Sequence, residues 1–225
     1  MAASVLVTGA SGGLGRAVTA RFLADGWRVV AIDRVAGAAG PGVVELTADL
    51  TEPDEVAQAI AETAGDPSAP LRAVLNLVGG YAEGGRVHET SIEEFEAQLR
   101  LNLRPTYVVT AAALPLLIAA GGGSVVCVSS RAALRPFRGA AGYITAKAAV
   151  LAFVDALAVE YRDDGIRANA VLPSVIDTPA NRAAQPGADH GRWVAPEQIA
   201  AVMAALCSDA GAVTSGAHIP VYGRA

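Results

Sequence analysis

The 225-residue chain reads as an α/β domain built on a doubly wound parallel sheet with helices on both faces. Three observations predict this. The chain opens with a strand, a glycine-rich turn, a helix and a second strand. Strand and helix signals then alternate to the C-terminus. The strands are continuous apolar runs rather than alternating patterns, as required of strands covered on both faces. With right-handed crossovers, such a sheet carries its ligand crevice at the C-terminal ends of its strands. Linkers, short internal repeats and low-complexity tracts are not evident, so residues 1–225 are read as one domain.

Ser4–Thr8 is the first apolar run. Gly9-Ala-Ser-Gly-Gly-Leu-Gly15 follows, then helical spacing from Arg16 to Gly26 with apolar positions at Ala17, Ala20, Phe22 and Leu23. Trp27–Ile32 is a second strand, closed by Asp33, 18 residues after Gly15. Glycines allow a tight turn and close backbone approach to a pyrophosphate seated on the helix N-terminal amides. Gly9, Ser11, Gly12, Gly13, Leu14 and Gly15 are therefore the expected phosphate cradle, and Asp33 the acceptor for the adenosine ribose hydroxyls.

Val43–Leu46 is a third strand and Asp54–Thr63 an amphipathic helix. Gly65–Pro70 is a loop before a fourth strand, Leu71–Val78. A glycine-rich loop, Tyr81–Gly85, leads to Ser91-Ile-Glu-Glu94, an N-cap with an acid three residues on. A helix runs from about Ile92 to Leu103, and another from Thr106 to Ala120 continues it with an adjustment at Pro105. Ser124–Ser129 is strand five. A long helix starts near Tyr143 and runs to about Tyr161. Ile166–Leu172 is strand six. Pro173–Trp193 reads as irregular, Ala195-Pro-Glu197 opens a last helix to about Ser208, and His218–Tyr222 is the final strand.

A hydrophobic share of 52% against 17% charged residues argues for a packed core. A net charge of −5 leaves no footprint for nucleic acid. Cys127 and Cys207 form neither a disulfide framework nor a zinc spacing, and no metal site is expected. The apolar run at the N-terminus ends at Gly9, too short for export or for spanning a membrane. A cytoplasmic protein is the expectation.

Tyr143 and Lys147 stand one helical turn apart, with Cβ atoms about 6 Å apart on one face. An ammonium beside a phenol favours the phenolate and is expected to lower its pKa. Lys147 is the one lysine among 17 basic residues; the rest are arginines. An alkylammonium differs from a guanidinium in kind, being compact with three donors. By itself a Tyr-x-x-x-Lys spacing fits a core tyrosine in a lysine-poor chain equally well.

Taken together, these residues resemble the short-chain dehydrogenase/reductase family over nearly the whole chain, which implies a single Rossmann-type domain. Thr8-Gly9-x-x-x-Gly13-x-Gly15 matches the family's cofactor turn. Asp49-Leu50 falls where the family contacts adenine. Asn76 and Gly79 fit its Asn-Asn-Ala-Gly segment, while Leu77 and Val78 depart from it. Asn102, Ser130, Tyr143 and Lys147 match its catalytic tetrad, with Ser130 lying 13 residues before Tyr143. Pro173, Ile176 and Thr178 match the segment that contacts the nicotinamide carboxamide, with Ser174 in place of the usual glycine. The resemblance implies cofactor contacts from these motifs, Val78 included. It implies that Tyr143 is the acid/base and that Lys147 tunes Tyr143 and holds the nicotinamide ribose. Ser130 would donate to the substrate oxygen, and Asn102 would position a relay water.

A carboxylate at Asp33 accepts from free ribose hydroxyls and repels a 2′-phosphate, which favours NAD(H). Arg34 beside it could meet a phosphate, so NADP(H) stays open. Leu77–Gly85 and Leu172–Trp193 are also similar to dihydropteridine reductases, so NADH-dependent quinonoid dihydropteridine reduction is an alternative. Ser130 argues against it, because that branch typically lacks the serine. A non-catalytic dinucleotide-binding sensor is a further alternative.

Residues 177–194 are the expected substrate lid. Tyr81, Arg182 and Trp193 are candidate substrate contacts, as is His190. The plainer reading is that Arg182 and His190 are solvated and Trp193 is a packing anchor. Arg131, Arg135 and Arg138 follow Ser130; they read most simply as a solvated loop, or else as an attractor for an anionic substrate. The alanine-rich helices around 111–120 and 146–158 are apolar on more than one face, which predicts self-association, and the resemblance implies that it is as a homodimer or homotetramer.

Overall fold

The computed structural model of the chain describes residues 3–35, 42–63 and 66–224. Gly65, which opens the Gly65–Pro70 loop, and both ends of the 1–225 domain lie outside the described residues. The strands are β1 (Ser4–Thr8), β2 (Arg28–Asp33), β3 (Val43–Thr47), β4 (Leu71–Asn76), β5 (Gly123–Val128), β6 (Ile166–Pro173) and β7 (His218–Val221). The helices are α1 (Gly13–Ala24), α2 (Pro53–Thr63), α3 (Ile92–Asn102), α4 (Arg104–Ala119), α5 (Ala141–Glu160), α6 (Pro179–Ala184) and α7 (Pro196–Cys207). The seven strands form one sheet in the order β3-β2-β1-β4-β5-β6-β7, and every pairing is parallel.

The apolar runs are explained by the two cores they feed. Leu6, Val30, Val74, Val125 and Ala170 point to the face covered by α2, α4 and α5. Their neighbours Val5, Val7, Val29, Ala73, Val126 and Val171 point to the face covered by α1 and α7. Period-two side chains are thus buried whichever way they point. Phe22 on α1 is wholly buried and meets Trp27 edge-on at 5.4 Å; burial of such a side chain contributes about 1.5–3 kcal/mol.

The break between α3 and α4 falls at Leu103. Pro105 lacks the amide that would bond back to residue 101. α3 packs against α5, where Gly142 brings its backbone close to Gln98. Helical stretches 92–119 and 141–160 have the length and hydropathy of membrane spans, but both pack into the sheet-covering layer with about half of those windows buried (50% and 44%).

Beyond shifts of one or two residues at element ends, three differences from expectation stand out. α1 begins at Gly13 rather than Arg16, because the last glycines of the turn already have helical geometry. Residues 87–89 form a short turn clamped by the Arg86–Glu89 ion pair. The segment expected to be irregular contains α6. Thr178 caps it by accepting from the Asn181 amide at 3.2 Å, and Pro179 occupies its first turn. That Thr-Pro pair was a readable start signal.

Candidate active site

The strand order reverses between β1 and β4, since β1 leads to α1 on one face and β4 to α3 on the other. At that point the C-terminal ends of the strands open on a cleft of about 1790 Å³.

One end of the cleft is built by the first turn. A Cβ on Gly15 would lie 2.1 Å from the Gly9 carbonyl oxygen and 2.6 Å from the Ala10 Cα, so only glycine lets α1 start this close to β1. The N-cap of α1, Gly12, supplies no side-chain cap, and the first turn holds no acid. The helix therefore presents uncapped amides and an uncompensated positive end to the cleft. Asp33 sits across from them. Its Oδ2 accepts from the Ser11 hydroxyl at 2.5 Å and its Oδ1 from the Arg34 amide at 2.8 Å. Asp49 is tied to Thr51, accepting from its amide at 2.9 Å and its hydroxyl at 2.8 Å; these bonds hold the carboxyl below its usual range, helped by Arg34 and Arg104. These features fit a dinucleotide: donors for a pyrophosphate, an acceptor for a ribose and an apolar Leu50 beside Asp49.

The other end holds Ser130, Tyr143 and Lys147. Ser130 follows β5 and caps a short turn, its hydroxyl accepting from the Ala132 amide at 3.1 Å. Ser129 is turned away, donating to the Lys147 carbonyl at 2.7 Å and pinning α5 to β5. The Tyr143 ring meets Tyr81 edge-on, with centroids 5.2 Å apart. The expected lowering of the Tyr143 pKa is not what the fold produces. Burial pushes the phenol up, and a hydrogen bond with Ser130 offsets part of that. The reason lies in Lys147. It is 4% exposed, its Nζ donates to the Val128 carbonyl at 3.0 Å, and burial lowers its pKa to about 8. A buried ammonium spent on a backbone carbonyl gives Tyr143 little support.

Gly9, Ser11, Gly12, Gly13, Leu14, Gly15, Asp33, Arg34, Asp49, Leu50, Val78, Gly79, Tyr81, Ser130, Tyr143, Lys147, Pro173, Ile176 and Thr178 all line the cleft. Five expected residues, Asn76, Asn102, Arg182, His190 and Trp193, do not. Asn76 is buried beneath it, donating to the Thr110 hydroxyl at 2.9 Å and so tying β4 to α4. Asn102 is wholly buried, and its amide clamps Gly80 by two 3.0 Å bonds, one to the amide and one to the carbonyl. Arg182 turns to Asp177 in a two-pronged ion pair (2.5 and 2.8 Å). Trp193 packs against His190, with ring centroids 4.4 Å apart and the planes tilted by 48°.

Residues that the motifs did not single out also shape the cleft. Thr8 accepts from the Leu77 and Val78 amides at 2.9 and 3.3 Å and locks the β4 exit loop to β1. Asn181, Ala184 and Gln185 reach the cleft from α6 and its end, as do Arg131 and Arg135 from the loop after Ser130. Among the described residues no cluster of three or more His, Cys, Asp or Glu side chains is arranged to hold a metal.

Comparison with known proteins places this geometry. The short chain dehydrogenase family model matches residues 3–189. The chain is 36% identical over 192 residues to 2-(R)-hydroxypropyl-CoM dehydrogenase of Xanthobacter autotrophicus, covering 80% of this chain and 76% of that protein. It is 33% identical over 237 residues to meso-2,3-butanediol dehydrogenase of Serratia marcescens, covering 98% and 93%. Among solved structures, a short-chain dehydrogenase/reductase family oxidoreductase from Burkholderia thailandensis superposes with a TM-score of 0.88 at 31% identity, over 99% of this chain and 92% of that one. The chain belongs to the short-chain dehydrogenase/reductase family and is an NAD(P)-dependent oxidoreductase acting on carbinol or carbonyl groups.

Proposed function

We propose that the protein is an NAD(H)-dependent carbonyl/carbinol oxidoreductase in which Tyr143 is the acid/base. The single observation carrying this is that Ser130 and Tyr143 share one end of a cleft whose other end presents the uncapped α1 terminus and Asp33. Bound nicotinamide supplies or accepts the hydride. Tyr143 gives its proton to the carbonyl oxygen in reduction and takes it back in oxidation. Ser130 donates to the same oxygen and stabilises the negative charge that develops there. The raised phenol pKa suits the acid role, since the proton is on Tyr143 at neutral pH. Lys147 would hold the nicotinamide ribose. Asn102 fixes Gly80 and with it the wall beside Lys147.

Asp33 supports NAD(H) over NADP(H), because a second negative charge would face its carboxylate. Residues 177–194 would act as a lid, with Thr178, Asn181 and Gln185 on its cleft side. The outer face of α4 and α5 exposes Tyr107, Ile118 and Val159, which supports self-association as a dimer or tetramer; a monomeric mass at micromolar concentration would contradict that. A cytoplasmic location is consistent with the fold.

The test is NADH consumption with a panel of aldehydes and ketones beside quinonoid dihydropterin, for the native chain and Ser130→Ala. Carbonyl turnover that falls at least tenfold in the variant is expected. Turnover of the pterin alone, indifferent to Ser130, would replace this reading with dihydropteridine reduction.

A further inference from the structure

The cleft end that holds Ser130 and Tyr143 also carries two arginines. The Arg131 guanidinium lies over the Tyr222 ring, 5.4 Å from its centroid. The backbone that carries the ring is held, since the Ser174 hydroxyl donates to the Tyr222 main-chain carbonyl at 2.7 Å. Arg135 follows one turn later, and its amide donates to the Arg131 carbonyl at 2.9 Å. That spacing sets the two side chains on one side of the turn, and both line the cleft. Other arginines of the chain, at 21, 28, 86 and 182, pair with carboxylates. Among the described residues, neither Arg131 nor Arg135 has a carboxylate within 4.0 Å. Of the acids that line this part of the cleft, Glu93 and Glu96 stand on α3 with Arg100, and Glu83 accepts from the Tyr81 hydroxyl at 2.5 Å. Arg131 and Arg135 therefore bring positive charge without a carboxylate partner to the wall that carries Ser130.

We propose that Arg131, with Arg135, binds an anionic group of the substrate, so that the substrate class is hydroxy acids and keto acids with the acid a few bonds from the reacting carbon. The inference rests on the carbonyl/carbinol reading above. A guanidinium binds an oxyanion through two parallel N–H donors. Stacking on Tyr222 leaves those in-plane donors free and lowers the rotamer entropy lost on binding. The unpaired charge also draws an anion to this end of the cleft. Carboxylate, sulfonate and phosphonate share this chemistry.

The experiment compares kcat/KM for keto carboxylates of about four to eight carbons, their neutral methyl esters and the matching keto phosphonates, at low salt. It uses the native chain, Arg131→Met, Arg135→Met and, as a control, Arg138→Met; Arg138 is exposed and does not line the cleft. The acid-to-ester ratio within each protein cancels any general loss of folding. The expected result is a ratio of ten or more in the native chain and with Arg138→Met. It should fall towards one in Arg131→Met, mainly through KM, and part of the way in Arg135→Met. The phosphonates show which anion is preferred. A ratio near one in the native chain, or one indifferent to Arg131→Met, overturns the proposal. If no member of the panel is turned over, the carbonyl reading is what fails. Titration of the protein–NADH complex with the same keto acids, followed by NADH fluorescence, then decides the anion site. Saturable binding lost in Arg131→Met sustains it, and absent or unaltered binding refutes it.

Discussion

The Lys147 ammonium and the Asn102 side-chain carbonyl converge on the backbone of Gly79. A Cβ placed there would lie 2.8 Å from Nζ and 2.7 Å from Oδ1. Neither group can retreat freely. Asn102 is clamped to Gly80, and Lys147 is buried with its Nζ on the Val128 carbonyl. The absence of a side chain at Gly79 is what lets both polar groups approach its backbone this closely.

Gly79→Ala should therefore damage function more than folding. Overpacking of this kind costs about 1–3 kcal/mol of stability. Displacing Lys147 and Asn102 together should lower turnover by roughly tenfold or more, since small misplacements in an active site have large kinetic effects. Urea unfolding read beside kcat checks both numbers, and a variant with native turnover would show that the convergence has no role.

Burial of Lys147 predicts a pH dependence of stability in the cofactor-free protein. Its folded pKa of about 8 lies below the model value of 10.5. Above pH 8 the unfolded chain holds this proton and the folded one does not, so the lysine's contribution makes stability rise with pH up to the unfolded value. Cys127 and Cys207 act oppositely above pH 9, because burial raises both thiols to about 12. The window that isolates Lys147 is pH 7 to 9. Across it, the stability of the native chain relative to Lys147→Met should rise by about 1 kcal/mol. A constant difference would mean that the ammonium is not desolvated.

Asp33 should control cofactor choice. Its carboxylate faces the cleft and holds the Ser11 hydroxyl. Asp33→Ser removes the charge that opposes a 2′-phosphate and leaves Arg34 to meet it. The ratio of kcat/KM with NADH to that with NADPH should fall by roughly tenfold or more, which corresponds to about 1.4 kcal/mol of lost discrimination. An unchanged ratio would move the discriminating contact elsewhere.

Much of this was legible in the residues. The turn from Gly9 to Gly15, Asp33 at the end of β2, and the spacing of Ser130, Tyr143 and Lys147 are local patterns, and the sheet brings them to one cleft as expected. What was not legible depends on partners distant in sequence. The Tyr143 phenol was expected to be lowered by Lys147, but the lysine turns to Val128, 19 residues away, and burial prevails. Asn76 matched a motif, yet its partner is Thr110 beneath the sheet surface. Arg182 is drawn off the cleft by Asp177, an ion pair at a spacing of five that no helical or strand period signals. Arg131 read most simply as a solvated loop residue, with attraction of an anionic substrate as the alternative, because nothing in its neighbours announces Tyr222 at the far end of the chain.

The most direct measurement is Tyr143→Phe, assayed for NADH-linked turnover and, in parallel, for NADH binding by fluorescence. The ring keeps its edge-on contact with Tyr81 and loses only the hydroxyl. The account predicts a loss of kcat of roughly 10²–10⁴-fold with cofactor affinity kept within a few-fold. Turnover within tenfold of the native chain would contradict Tyr143 as the acid/base. A biological output that survives the loss of turnover would identify a dinucleotide sensor instead.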